Sequence, residues 1–155
     1  MTADGLALPA PLLARGVCRA LDQLGYASLL EFPLANGRRR ADIFGLHKSG
    51  ELIIVEIKSS VADFRADRKW ASYRDFADRL YFAVPSGFPS LLIPEDCGLI
   101  VADGFGAAVV RGGAATPLAP ARRRALTLRF ALAAATRLRR HVDPEAAAAL
   151  LPDAL

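Results

Sequence analysis

The chain has few of the residues that usually announce a metal or redox site. Of its 155 residues only two are cysteines and two are histidines. Cys18 and Cys97 lie far apart and match no zinc-ligand spacing, so they read as buried or incidental thiols of a reducing compartment. His47 falls at a turn and His141 at a helix end, neither with a partner in the sequence, and neither is assigned chemistry. No run approaches the roughly 18 consecutive apolar residues of a membrane helix. The opening Met1-Thr2-Ala3-Asp4-Gly5 lacks the basic region that begins a secretory signal, so the expected location is cytoplasmic, with no membrane partner. There is no internal repeat.

What is present is an ordinary globular composition, 53% hydrophobic and 23% charged, which excludes a disordered chain. The length suits one domain over 1–155. A net charge of +4 leans toward an anionic partner such as nucleic acid, although an arginine-rich composition alone could produce it.

The most informative stretch runs from Arg38 to Lys58. Two apolar runs flank the turn signal Lys48-Ser49-Gly50, and each run carries charge where a plain core strand would not. In the second run Leu52, Ile54, Glu56 and Lys58 share one face of a strand and Ile53, Val55 and Ile57 the other. With Lys48-Ser49-Gly50 as the loop, His47 pairs with Glu51 and Asp42 falls opposite Glu56. Opposed residues of an antiparallel pair have Cβ atoms about 4.5–5.5 Å apart, where like charges are destabilising. A cation, or a raised pKa on one acid, is the usual compensation. Upstream, Asn36-Gly37 is a strong two-residue hairpin signal. Counting through it puts Glu31 opposite Asp42, so Glu31, Asp42 and Glu56 form one row across three strands, with Lys58 beside it.

Three carboxylates next to a lysine make a hard-cation site, suited to Mg²⁺ or Mn²⁺. Asp42 and Glu56 are the expected ligands, with the Ile57 carbonyl as a further oxygen and Glu31 direct or through water. Lys58 would hold or deprotonate an attacking water and offset developing charge. The expected catalytic set is therefore Asp42, Glu56 and Lys58. Arg40 shares the Asp42 face by strand parity and is the favoured phosphate contact among Arg38, Arg39 and Arg40.

Around this stretch the periodicity predicts a helix from Pro9 to Leu24, a strand from Tyr26 to Leu34 and a helix from Val61 to about Ala77, with a break near Asp67. Ser60 and Asp63 resemble a capping box at the start of that last helix. On it Lys69, Tyr73 and Phe76 would share a face, with Trp70 beside them as a packing residue. Strands follow at Leu80–Val84, Gly98–Ala102 and Ala107–Val110. A linker of small residues covers 112–120, and an arginine-rich helix is expected over about 120–141. Its apolar stripe is Leu128, Ala131, Leu132, Ala135 and Leu138. The tail beyond Pro144 is rich in alanine and leucine, with room for one short helix.

Ala41-Asp42 followed by Glu56-Ile57-Lys58 resembles the PD-(D/E)XK motif of the restriction-endonuclease-like nuclease superfamily, with Ala41 in place of the motif's proline. Lys69 to Tyr73 resembles the Gln-x-x-x-Tyr helix motif of the RecB-like branch, with Lys69 in the glutamine's place. More closely, Gly37-Arg38-Arg39, Arg40-Ala41-Asp42, Val55-Glu56-Ile57-Lys58-Ser59-Ser60, Asp63-Phe64, Asp67-Arg68-Lys69-Trp70, Tyr73 and Leu80-Tyr81-Phe82-Ala83-Val84-Pro85 resemble the MmcB family, small bacterial proteins linked to DNA repair. The resemblance implies an α/β, restriction-endonuclease-like mixed sheet with an α-β-β-β-α-β core over about 9–112 and helices on both faces. It also implies DNA as the partner, with Lys69 and Tyr73 as substrate contacts and room for a repair-protein partner. The expected function is metal-dependent hydrolysis of DNA phosphodiesters in repair. The alternative is a non-catalytic DNA-binding or complex-assembly module that keeps the fold, and nuclease action on RNA shares the same chemistry.

Overall fold

The computed structural model describes residues 8–147. The chain divides into two units, Met1–Leu118 and Ala119–Leu155, and the described residues of each are taken by themselves below. The first unit is built on a six-stranded mixed sheet whose spatial order follows the chain: β1 (Tyr26–Leu34), β2 (Arg39–His47), β3 (Leu52–Ile57), β4 (Arg79–Val84), β5 (Gly98–Ala102) and β6 (Ala107–Arg111). The β1/β2, β2/β3 and β5/β6 pairs are antiparallel, and β3/β4 and β4/β5 are parallel. The α/β class with a mixed sheet is thus as expected.

One face of the sheet is covered by α1 (Ala10–Gln23). Leu13, Val17 and Leu21 recur at helical spacing and pack with Ile43, Ile53, Val55 and Ile57, the alternate residues of β2 and β3. Gly25, at φ +88°, ends the helix in the left-handed region that costs glycine no Cβ clash. The other face carries Phe82, which meets Phe64 and Trp70 edge-on, each at 5.4 Å between ring centres. Both faces of the sheet therefore carry helical segments.

The segment from β3 to β4 differs from a single helix. Ser60 caps α2 (Val61–Ala66), its hydroxyl accepting the Asp63 amide at 3.1 Å while the Asp63 carboxylate accepts the Ser59 amide at 3.2 Å. The first bond is the cap anticipated from the sequence; the return bond goes to Ser59, one residue before the cap, and not to the Ser60 amide of a regular capping box. The helix stops at Asp67, the expected break, and the chain resumes as a 3-10 helix over Trp70–Phe76. At three residues per turn, Tyr73 aligns with Trp70 and Phe76 and no longer with Lys69. Lys69 is exposed and Tyr73 is buried.

The second unit is α3 (Pro120–Val142) followed by the short α4 (Pro144–Ala147). Within α3 the buried residues are Leu126 and Phe130, whereas Leu128, Leu132 and Leu138 of the expected apolar stripe are 60%, 40% and 63% exposed. Both sets satisfy i, i+4 spacing, so periodicity alone could not choose between them. The tail beyond Ala147 lies outside the described residues. Among the described residues no helix is long and apolar enough to cross a membrane.

Candidate functional site

The site lies where the β2/β3 ladder opens. The hairpin register is the one counted from the sequence: the His47 amide donates to the Glu51 carbonyl at 2.9 Å, and the pairing runs from Leu46/Leu52 to Ile43/Val55. One step further, Asp42 and Glu56 fall opposite each other. There the carboxylates themselves receive backbone amides. Asp42 N–H donates to Glu56 Oε1 at 3.1 Å, and Ile57 N–H donates to Asp42 Oδ2 at 2.8 Å. β3 is buried along its whole length between β2 and β4, so Glu56 is only 4% exposed.

Burial dominates the electrostatics of the pair. It raises the Asp42 carboxyl, against the Ile57 amide that favours the ionised form, and the charge of Glu31 adds to the rise. It also pushes Glu56 up to about 8, with the neighbouring Asp42 charge adding and the Asp42 amide and Lys58 opposing. Neither acid has the solvent it would need to carry full charge beside the other.

Glu31 reaches the row in register but not in regular geometry. Leu30/Ile43 and Phe32/Ala41 flank it, so it stands opposite Asp42, yet its φ is +52°, in the left-handed region that L-residues rarely adopt. The twist interrupts strand alternation, and Phe32 beyond it stacks on Phe44 with ring centres 4.4 Å apart. The Glu31 carboxylate accepts from Arg40 Nε at 2.6 Å in a solvent-exposed pair. The hairpin that sets this register is a turn with positive φ at both central residues, Asn36 (+58°) and Gly37 (+80°), closed by the Arg38 amide on the Ala35 carbonyl at 3.3 Å.

Lys58 continues β3 past its last assigned residue, its amide donating to Ala83 O at 2.9 Å. Its side chain is buried, and Nζ donates to Asp67 Oδ2 at 2.6 Å. Asp67 is the residue to which sequence reasoning gave no role, although it stood at the expected helix break and in the run Asp67-Arg68-Lys69-Trp70. Burial would raise its carboxyl, but the bonds from Lys58 and from the Lys69 amide outweigh that and hold it below the usual carboxylate range.

The remaining expected contacts spread around this centre. The Tyr73 hydroxyl donates to the Arg40 carbonyl at 3.0 Å, fastening the 3-10 helix to β2. Burial and the nearby acids push its phenol up to about 12, so it stays protonated at neutral pH. Arg39 Nε donates to Ser72 Oγ at 3.3 Å and makes a second tie between the same elements. Among the described residues, no group of three or more His, Cys, Asp or Glu side chains is arranged to hold a metal ion. The compact acidic unit is the pair Asp42 and Glu56.

An α/β sheet with a buried acid, a half-buried acid and a buried lysine at one strand end defines the class. The chain belongs to the MmcB-like DNA repair protein family, whose sequence profile matches residues 4–145. Among solved structures it is similar to SPO1766, a protein of unknown function from Silicibacter pomeroyi, at 44% identity and a TM-score of 0.84, over 88% of this chain and 93% of that one. None of the curated proteins matches.

Proposed function

We propose that the protein is a DNA phosphodiester hydrolase of the PD-(D/E)XK, restriction-endonuclease-like kind, acting in DNA repair with Mg²⁺ or Mn²⁺ held by Asp42 and Glu56. The observation that carries the reading is the Asp42–Glu56 pair, two adjacent carboxylates, one buried and one half-buried, that accept two backbone amides and are both raised chiefly by burial. Mg²⁺ is commonly bound through one or two carboxylates plus waters and a substrate phosphate, so this donor set fits without a third protein acid. When bound, such an ion polarises a phosphate oxygen and lowers the pKa of its water.

The chain's own residues supply the rest. Lys58, two residues beyond Glu56, brings an ammonium to the same end of the strand, where it stabilises charge developing on the phosphate and orients a water. Arg40 and the exposed Lys69 draw the DNA backbone by charge. Tyr73 acts through its bond to the Arg40 carbonyl, setting the distance between β2 and the segment that bears Lys69. Glu31 pairs with Arg40 in an exposed contact that leaves the guanidinium open to a phosphate, and adds to the negative field at Asp42. The element order, helix, three antiparallel strands, helical segment, parallel strand, resembles the superfamily's core and supports the reading. The family description supports the repair setting.

A second reading, a DNA-binding or assembly module without turnover, is favoured by the internal neutralisation of the site: Lys58 is paired with Asp67 and Glu31 with Arg40. The separating experiment incubates wild type, Asp42→Ala and Lys58→Ala with duplex, single-stranded, flap and branched DNA and with RNA, in Mg²⁺ or Mn²⁺. Metal-dependent cleavage lost in both variants is expected. No cleavage of any substrate, with salt-sensitive DNA binding intact, would establish the binding module instead.

A further inference from the structure

We propose that Asp67 is a positioning residue that holds the Lys58 ammonium away from the Asp42–Glu56 pair, keeping both carboxylates open to a divalent cation. The inference rests on the hydrolase reading above and adds a residue outside its motif. Its basis is geometric. The Lys58 side chain is 6% exposed, and Nζ lies 2.6 Å from Asp67 Oδ2. A buried ammonium must find an acid or lose much of its hydration energy. Glu56 and Asp42 both lie within its field. Glu56 is two residues back on the same strand, on the same face by alternation. An ammonium bonded there would occupy the oxygen lone pairs and the negative charge that a hard cation needs.

Asp67 is built to resist following the lysine inward. It closes α2 in extended conformation, and its second oxygen accepts the Lys69 amide at 2.8 Å. One oxygen is thus fixed to the backbone while the other holds Nζ. The same carboxylate ties Lys58 to the segment carrying the exposed Lys69, which the hydrolase reading places on DNA.

The test is a double-mutant cycle read with Mn²⁺ alone, without DNA. Calorimetric Mn²⁺ affinity is measured for wild type, Asp67→Asn, Lys58→Met and the double variant, with circular dichroism confirming that each is folded. Asparagine keeps an oxygen for the Lys69 amide, so the local turn is retained. Asp67→Asn is expected to weaken Mn²⁺ about tenfold or more in the wild-type background. In the Lys58→Met background it is expected to change affinity less than about twofold. Equal weakening in both backgrounds would mean plain loss of a nearby charge and would overturn the proposal. A second readout is independent of metal and of turnover: the ¹⁵N-labelled Lys58 ammonium should give a protected NMR signal that disappears in Asp67→Asn. If the wild type binds no Mn²⁺, the hydrolase reading falls by itself, and this signal decides the anchoring: its loss in Asp67→Asn supports the hold on Lys58, and its persistence unchanged removes it.

Discussion

The Asp42 amide donates to the Glu56 carboxylate at 3.1 Å across the point where two strands stop pairing. The pair is therefore assembled by the backbone before any ligand arrives. Preorganisation of this kind costs charge stability: burial raises both acids, Glu56 also feels the Asp42 charge, and the amides offset only part of the penalty.

The first prediction is a pH dependence with a definite sign. Glu56 is pushed up to about 8 from an ordinary 4.5. Between those values the folded chain holds a proton that the unfolded chain has released, so unfolding releases a proton and stability falls as pH rises. The contribution is full below about 4.5, declines through the window and levels off once the folded-state group has ionised above about 8. One proton gives a slope no steeper than about 1.4 kcal/mol per pH unit, and the raised Asp42 acts in the same direction. Urea denaturation in chelator across this range should show the decline, and Glu56→Gln should flatten it. A metal-free protein whose stability rises from pH 5 to 8 would refute the electrostatic account.

Much of this site was legible because strand registers are integers. Loop length and alternation placed Asp42 opposite both Glu31 and Glu56, and the ladder on either side of Glu31 confirms the count. Register could not reveal the left-handed φ of Glu31, which depends on Phe32 finding Phe44 on the far side of the twist. Nor could periodicity tell an α-helix from a 3-10 helix over Trp70–Phe76, where one residue of drift moves Lys69 off the Tyr73 face. The bond between Lys58 and Asp67 was invisible for a different reason: the two lie across a helix and a turn, and no spacing rule joins them.

Glu31 and Asp42 should separate sharply on substitution. The Glu31 carboxylate is committed to Arg40 in an exposed pair, and such pairs contribute about 0–1 kcal/mol. Glu31→Gln should therefore leave Mn²⁺ affinity and cleavage within about fivefold of wild type. Asp42→Asn should reduce cleavage about a hundredfold or more, as expected for loss of a group that organises charge at the reacting phosphate. Comparable losses in the two variants would mean that Glu31 leaves Arg40 and joins the cation.

Tyr73→Phe separates architecture from chemistry. The hydroxyl donates to the Arg40 carbonyl, and its raised pKa excludes a role as a base near neutral pH. Losing one such bond should cost about 0.5–1.5 kcal/mol of stability, read as a shift of the urea midpoint. Cleavage per folded molecule should stay close to wild type. A drop in kcat of tenfold or more in a fully folded variant would instead put the hydroxyl on the substrate.

The last prediction concerns the helix that backs the site. Gly16 lies inside α1, where alanine would ordinarily be favoured by about 1 kcal/mol. A Cβ there, however, would lie 2.0 Å from Asp103 O and 2.6 Å from Gly106 O, both backbone atoms of the turn between β5 and β6. That turn cannot easily retreat, because the Asp103 carboxylate holds the Phe105 and Gly106 amides at 2.7 and 2.9 Å and the Asp103 amide is bonded to Gly106 O. At Gly98 a Cβ would meet the Tyr81 ring instead, at 2.1 Å, and a half-buried side chain can rotate away. The steric term should exceed the propensity gain at Gly16, so Gly16→Ala should destabilise at or beyond the upper end of the usual overpacking range of about 1–3 kcal/mol, with Gly98→Ala inside it. Urea midpoints for the two variants measure the order directly. A Gly16→Ala protein as stable as wild type would show that α1 rides on the sheet loosely enough to shift, and that the close approach of helix and turn is not what fixes α1 over Ile43, Val55 and Ile57 behind the acidic pair.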